Sequence, residues 1–140
     1  FKPGDFVDKE GHVIGRHKGI AAYTIGQRRG LDLGGPGGPY YVTALDVAHN
    51  KVIVGSERDL FSKTVHASEA TWVEQTPDAP FRALGKIRYA AREAACTVYP
   101  DGDSLQVEFD DAQRAVTAGQ ALVLYDADTG ERVLGGGVIQ

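Results

Sequence analysis

The sequence predicts a mainly β protein, built as a small β-rich unit followed by a compact antiparallel β-barrel. Three observations lead there. Short runs rich in Val, Ile, Tyr and Thr recur along the 140 residues; Gly, Asp and Pro separate them; and helical turns are invited only at about His17–Ile20 and Asp111–Ala115.

Taken in chain order, "DFVDKEGHVIG" reads as a hairpin with Lys9, Glu10 and Gly11 at the bend. "YYVTALDV" (40–47) and "KVIVG" (51–55) make a second hairpin, joined across Ala48, His49 and Asn50. Further strands are expected at Val65–Val73, Phe81–Ala90, Ala95–Tyr99, 104–109, Ala121–Tyr125 and Arg132–Ile139. The clearest is "SLQVEF" (104–109). Its Leu105, Val107 and Phe109 share one face while Gln106, Glu108 and Asp110 share the other, the pattern of a half-buried strand. "EQTPDAP" (74–80), with two prolines, is the best boundary by composition, and strand Val65–Val73 suits either unit. We divide the chain into a β-rich domain at 1–66 and a barrel domain at 67–140.

A hydrophobic content of 42% is enough for a core, and charged residues make up 24%. No apolar run reaches membrane-spanning length and no basic-then-apolar leader opens the chain, so a cytoplasmic protein with no membrane partner is expected. The chain has no methionine, which we read as a piece of a longer protein with its catalytic apparatus outside these residues. A single cysteine, Cys96, excludes an internal disulfide and a cysteine-only zinc site.

The net charge of −4 hides an uneven distribution. Residues 1–30 carry six Lys or Arg against three acids, and "RALGKIRYAAR" (82–92) carries four basic residues and no acid, whereas 93–140 carries two against nine. Two basic islands in an acidic background suit a polyanion partner, because local fields govern such binding more than net charge does. Ordinary scatter of surface charge is the alternative.

"AYTIGQRRGLDLGGPGG" (22–38) contains the most distinctive local chemistry. As a nucleotide loop it fails: no Lys or Ser/Thr follows the glycines directly, and proline offers no N–H to a phosphate, so "GGPGG" reads as a connector. In "TIGQRRG", Gly26 and Gly30 permit tight turns between which Gln27, Arg28 and Arg29 project. Guanidinium forks suit phosphate oxygens and a glutamine amide suits a base edge or ribose. The other reading is an exposed turn whose arginines pair with acids such as Asp32. His12, His17, His49 and His66 lack metal-ligand spacing, so no metal site is expected. Cys96, near a strand edge without an activating helix terminus, reads as a structural thiol. No catalytic residue is expected in this chain.

Five blocks in order carry a resemblance: "GHVIGRHKGIAAYTIGQRRGL", "YYVTALDVAHNKVIVG", "KIRYAAREAACTV", "AVTAGQALVLYD" and "LGGGVI". Together they resemble the C-terminal half of the tRNA-specific 2-thiouridylases over essentially the whole chain. There are departures: Ala118 stands where the family usually has proline, and "DADTGERVLGGG" has a slightly long turn. The resemblance implies a central β-rich domain and a C-terminal β-barrel, preceded in the full enzyme by an ATP-pyrophosphatase domain. That enzyme adenylates the C2 oxygen of the wobble uridine with Mg-dependent ATP, and sulfur from a cysteine persulfide then displaces the adenylate. Its catalytic cysteines and ATP loop lie upstream of the residues matched here, so no cofactor is expected in this chain. Arg88 and Tyr89 of "KIRY" and Gln120 of "AGQ" match family positions that contact tRNA. Adjacent strand residues face opposite ways, so Arg88 and Tyr89 share a face only where the strand ends or bulges. The partners implied are tRNA, the upstream domain and a sulfur-carrier protein. The alternative role is a structural or docking module that braces the catalytic domain or receives the carrier without touching RNA.

Overall fold

The computed structural model describes residues 2–35 and 37–140. They form ten strands in two compact units that divide between Phe61 and Ser62.

The first unit is a four-stranded sheet made of two hairpins. β1 (Gly4–Val7) and β2 (Val13–His17) form one; β3 (Tyr41–Asp46) and β4 (Lys51–Gly55) form the other. The hairpins join through parallel pairing of β1 with β4, Phe6 opposite Val52, giving the order β2-β1-β4-β3. Both turns fall where the sequence places them. At the first, the Asp8 carboxylate accepts the backbone N–H of Glu10 (3.0 Å) and of His12 (2.8 Å). At the second, Asp46 accepts from His49, and Asn50 takes the left-handed conformation at φ 53°. Such anchored acids stabilise tight turns by replacing water at the backbone. The sheet buries Phe6, Val42, Val52 and Val54 beneath Tyr23 and Leu31.

His17, at the end of β2, is the one polar side chain buried among the described residues. Its Nε2 lies 2.8 Å from the Asn50 carbonyl, and its Nδ1 accepts the Gly19 N–H at 3.0 Å. That pair of contacts fixes the neutral tautomer with its proton on Nε2. The expected helical turn at His17–Ile20 lies three residues later, as a 3-10 turn at Ile20–Ala22, because His17 completes the strand. A second 3-10 turn at Glu57–Leu60 was not anticipated, although Ser56 and Asp59 form its capping box.

The second unit is a closed six-stranded antiparallel barrel of β5 (Phe61–Trp72), β6 (Phe81–Lys86), β7 (Ala94–Asp101), β8 (Ser104–Arg114), β9 (Ala121–Asp126) and β10 (Val133–Ile139), in the order β10-β5-β8-β7-β6-β9. Leu105, Val107 and Phe109 point inward as the alternation requires, joined by Val65, Val98, Leu122, Leu124 and Ile139. Residues 74–80 connect β5 to β6 within this unit. Two expectations change. Asp111–Ala115 is no helical turn: β8 continues to Arg114 and stops where Ala115 adopts φ 58°. The strand expected over Phe81–Ala90 stops at Lys86, after which the chain turns.

Cys96 lies inside β7 in the barrel core rather than near an edge, its Sγ 3.5 Å from the Ala83 carbonyl. Burial pushes its thiol up to about 11.

Strand β10 closes the barrel with three glycines. A Cβ on Gly136 would overlap the Leu122 carbonyl oxygen, and one on Gly135 the Thr71 carbonyl oxygen. Gly136→Ala should therefore cost about 2 kcal/mol or more in urea unfolding, since both obstacles are backbone. The β9–β10 turn is held by Asp126, whose carboxylate accepts the N–H groups of Thr129 and Arg132, each at 2.8 Å, and the Thr129 hydroxyl. These bonds, first among them the Thr129 N–H, hold the Asp126 carboxyl down at about 2 against an ordinary 3.8. The folded state thus resists protonation more than the unfolded one. This stabilisation is complete above the ordinary value and is lost as pH falls toward 2. In thermal melts across that window, Asp126→Asn should decline less steeply with acid than the parent chain.

Candidate nucleic-acid interface

In the first unit the "TIGQRRG" loop is tied from within. The Gln27 amide oxygen accepts the Thr24 N–H (3.0 Å) and its Nε2 donates to the Arg29 carbonyl (2.9 Å). Backbone bonds Gly26 N–H to Val42 O (2.8 Å) and Val42 N–H to Gln27 O (2.9 Å) dock the loop on β3. Gly26 and Gly30 take φ values of 91° and 77°, which side chains other than glycine's resist. Gln27 therefore commits its amide to holding the loop, while Arg28 and Arg29 project exposed. Neither arginine makes an ion pair among the described residues, and Asp32 does not engage them. The loop borders a groove of about 530 Å³ lined by Arg28, Gly30, Leu31, Asp32, Gly34 and Tyr40. Of the "GGPGG" connector, Pro36 lies outside the described residues.

In the barrel, Arg88, Tyr89 and Gln120 come to one end. Antiparallel pairing sends the β6–β7 and β8–β9 loops out together, and the β6–β9 register, Lys86 opposite Val123, leads on toward Tyr89 and Gln120. Because β6 ends at Lys86, Arg88 and Tyr89 sit in a turn closed by the Ala91 N–H on the Arg88 carbonyl (3.1 Å). Strand alternation no longer separates their side chains. Tyr89 is 98% exposed, an unusual position for an aromatic ring. Arg88 is half-buried, and its Nη1 donates to the carbonyls of Arg114 (3.1 Å) and Ala115 (3.4 Å), tying the two loops together. The Gln120 backbone is fixed by its N–H on Thr117 O and by the Ile139 N–H, which leaves its side chain exposed.

The basic island at 82–92 is divided among different tasks. Arg82 forms a two-pronged ion pair with Asp110 (2.6 and 2.7 Å) and also donates to Thr97. That hydrogen bond holds the Asp110 carboxyl below the ordinary carboxylate range and raises the Arg82 guanidinium. Lys86 places its ammonium 5.8 Å from the centre of the Tyr125 ring. Arg92, which charge counting did not single out, is exposed three residues after Tyr89 in the same loop. A sequence signal existed: it is the last cation of "RYAAR".

Asp8, Glu10 and His12 bring three ligand-type atoms within 4.8 Å of one another. The Asp8 oxygens are already engaged by two backbone N–H groups and by His12 Nδ1 at 3.1 Å, as a turn brace demands. His49 likewise pairs with Asp46. Among the described residues, no helix is long and apolar enough to cross a membrane.

Family comparisons agree with this two-unit layout. A family model described as tRNA methyl transferase PRC-barrel domain matches residues 1–56, and one described as aminomethyltransferase beta-barrel domain matches residues 62–139. Among curated relatives, the tRNA-specific 2-thiouridylase MnmA of Magnetococcus marinus is 48% identical over 140 residues, covering 98% of this chain and 38% of the relative. The like-named protein of Roseiflexus sp. is 49% identical over 140 residues, covering 99% and 36%. The tRNA-specific 2-thiouridylase MnmA 1 of Syntrophus aciditrophicus is 46% identical over 138 residues, covering 99% and 36%. The chain thus spans a little over a third of the length of the relatives it matches. On the strength of two adjoining domain matches and these identities along nearly its whole length, the chain belongs to the tRNA-specific 2-thiouridylase family, in the region of the family's PRC-barrel and β-barrel domains.

Proposed function

We propose that this chain is the tRNA-holding part of an enzyme that replaces the C2 oxygen of the wobble uridine with sulfur. The observation that carries the reading is the barrel end. There an almost fully exposed Tyr89 shares its loop with Arg88 and the exposed Arg92, at the end of the barrel that also carries Gln120. An exposed ring with cations in the same loop suits RNA, where bases stack on rings and phosphates bridge to cations. Arg88 serves as a positioning residue, since its two donor contacts fix the loops. Gln120 offers an amide to a ribose or base edge.

The chemistry of thiolation belongs elsewhere in the parent enzyme. ATP and its magnesium find no fit here, because the glycine run at 34–38 is followed by Pro39 and Tyr40 rather than by the Lys and Ser/Thr that serve a phosphate and its metal. Cys96 is equally unsuited to carry a persulfide. Its buried thiol is held up at about 11, so the thiolate needed for sulfur exchange is scarce at neutral pH. The chain by itself is inactive in this reading, and the upstream ATP-pyrophosphatase domain supplies the reaction in the cytoplasm.

A docking role is the second reading, and one feature favours it. At the opposite end of the barrel a hollow of about 470 Å³ opens between apolar Trp72, Val73, Pro80, Phe81 and Val133, with Glu74, Asp78 and Arg132 also on its lining. Val73 is 69% exposed there, and the buried Trp72 Nε1 has no hydrogen-bond partner among the described residues. A sulfur-carrier protein or the catalytic domain would be the occupant.

Tyr89→Ala separates the two. It should leave the melting temperature unchanged, because the ring packs on nothing, and weaken tRNA binding by about 1–3 kcal/mol in filter binding. Unchanged affinity, with amide shifts on protein addition confined to Val73 and Val133, would favour docking. Cys96 should stay unreactive toward a thiol reagent at pH 8 in the folded chain and react at once in denaturant. Rapid labelling of the folded chain would reopen a sulfur-carrying role.

A further inference from the structure

We infer that the groove beside Arg28 and Arg29 is a second RNA-backbone site, at which consecutive phosphates of the bound tRNA meet the two guanidiniums. The inference rests on the tRNA reading above and adds a binding surface that the barrel end does not require.

The first support is the state of the arginines. Arg28 and Arg29 are adjacent, exposed and unpaired among the described residues, although Asp32 lies within reach along the chain. On the groove lining Arg28 and Asp32 balance, and Arg29, exposed on the same turn outside that lining, leaves the loop with one net positive charge. An arginine that forms no internal pair contributes little to folding, so its free fork is available to a planar oxyanion.

The second support is rigidity. Four hydrogen bonds, two from the Gln27 amide and two between Gly26, Gln27 and Val42, fix the backbone that carries the arginines. Side chains presented from a fixed turn lose less entropy on binding than those on a mobile tail. Gln27, a candidate base reader by sequence, acts through that rigidity and keeps its amide inside the loop.

The third support is the groove wall. A Cβ built on Gly34 meets nothing within 4 Å, and its φ lies outside the left-handed region. Neither packing nor backbone conformation asks for glycine at that position. What glycine does there is keep the wall low, with the half-buried Tyr40 ring on the same lining. A sugar-phosphate backbone can approach such a wall closely; a P-loop nucleotide pocket would need a Lys and Ser/Thr after the glycines, where Pro39 and Tyr40 stand.

The test is filter binding of an unmodified tRNA transcript to the 140-residue chain across a sodium chloride series, with melting temperatures as the folding control. Arg28→Ala/Arg29→Ala should lower the log-log salt slope by about two units, one for each phosphate that is no longer neutralised, with no change in melting temperature. Arg28→Lys/Arg29→Lys should keep the slope, since a lysine still neutralises a phosphate. Gly34→Leu should weaken binding at every salt concentration without altering the slope or the melting temperature. If the parent chain binds and only Tyr89→Ala weakens it, the groove site is overturned while the tRNA reading stands. If the parent chain does not bind tRNA at all, both fall.

Discussion

The barrel closes because β10 carries no side chains where its neighbours come nearest. Gly135 faces the Thr71 carbonyl and the Trp72 ring, Gly136 the Leu122 carbonyl, and Gly137 the Ser68 carbonyl and the Ala67 methyl. Small side chains elsewhere extend the same constraint: Gly85 on β6 leaves the space taken by the Phe109 ring and Cys96 Sγ. A tight closed barrel removes exposed edges and fixes how each strand leaves the sheet. The β6–β7 and β8–β9 loops therefore emerge at one end with no freedom to separate, and the Arg88 guanidinium needs only two carbonyl contacts to lock them. Placement of Tyr89 and Gln120 at one end follows from closure, and for Gln120 also from its backbone bonds to Thr117 and Ile139.

Charge is organised by the same sparing use of side chains. Cations that brace the fold are distinguishable from cations that are free to act elsewhere, because the former sit against carboxylates, carbonyls or rings. Arg82 is bound to Asp110 and Thr97, and Arg16 to Asp5 at 3.0 Å. Lys9 reaches Asp59 at 3.4 Å. Exposed pairs of this kind contribute little individually, and their effect is to remove a charge from the outward field. Arg28, Arg29 and Arg92, all on turns, are among the exposed cations without an ion pair among the described residues; Lys18, Arg58 and Lys63, the last on β5, are others. The acidic stretch 93–140 is similarly reduced: Asp126 serves its turn and Asp110 serves Arg82. A surface that is net negative by composition thus offers positive groups at particular loops.

How much of this could be read beforehand depended on whether a signal was local. Hairpins and the β8 alternation were legible because a period of two and turn-forming Asp, Asn and Gly are written within about ten residues. The end of β8 was misread because Asp111 and Ala112 look helical in isolation, while pairing with neighbouring strands decides the matter. The end of β6 at Lys86 was hidden for the same reason, and with it the solution to how Arg88 and Tyr89 share an end. Resemblance supplied those two residues and Gln120; residue chemistry alone supplied only the basic island. Counting its charges overstated it, since Arg82 and Lys86 are engaged by Asp110 and Tyr125, both far along the chain. Gln27 illustrates the opposite case. Its amide is committed to residues two and three positions away, a local contact that its type did not reveal.

Glycine carries three different meanings in this chain, and separating them bears on function. Gly26 and Gly30 are conformational, with φ values that other residues resist. Gly135 and Gly136 are steric, because backbone oxygens occupy the place of a Cβ. Gly34 satisfies neither condition, since open space surrounds the position where its Cβ would be. Glycine there costs backbone entropy on folding and returns no packing. Its open position on the wall of a groove that also holds Arg28 and the half-buried Tyr40 ring is what the proposed RNA-backbone site uses. A backbone is proposed there over a small nucleotide because Pro39 and Tyr40, rather than a Lys and Ser/Thr, follow the glycine run.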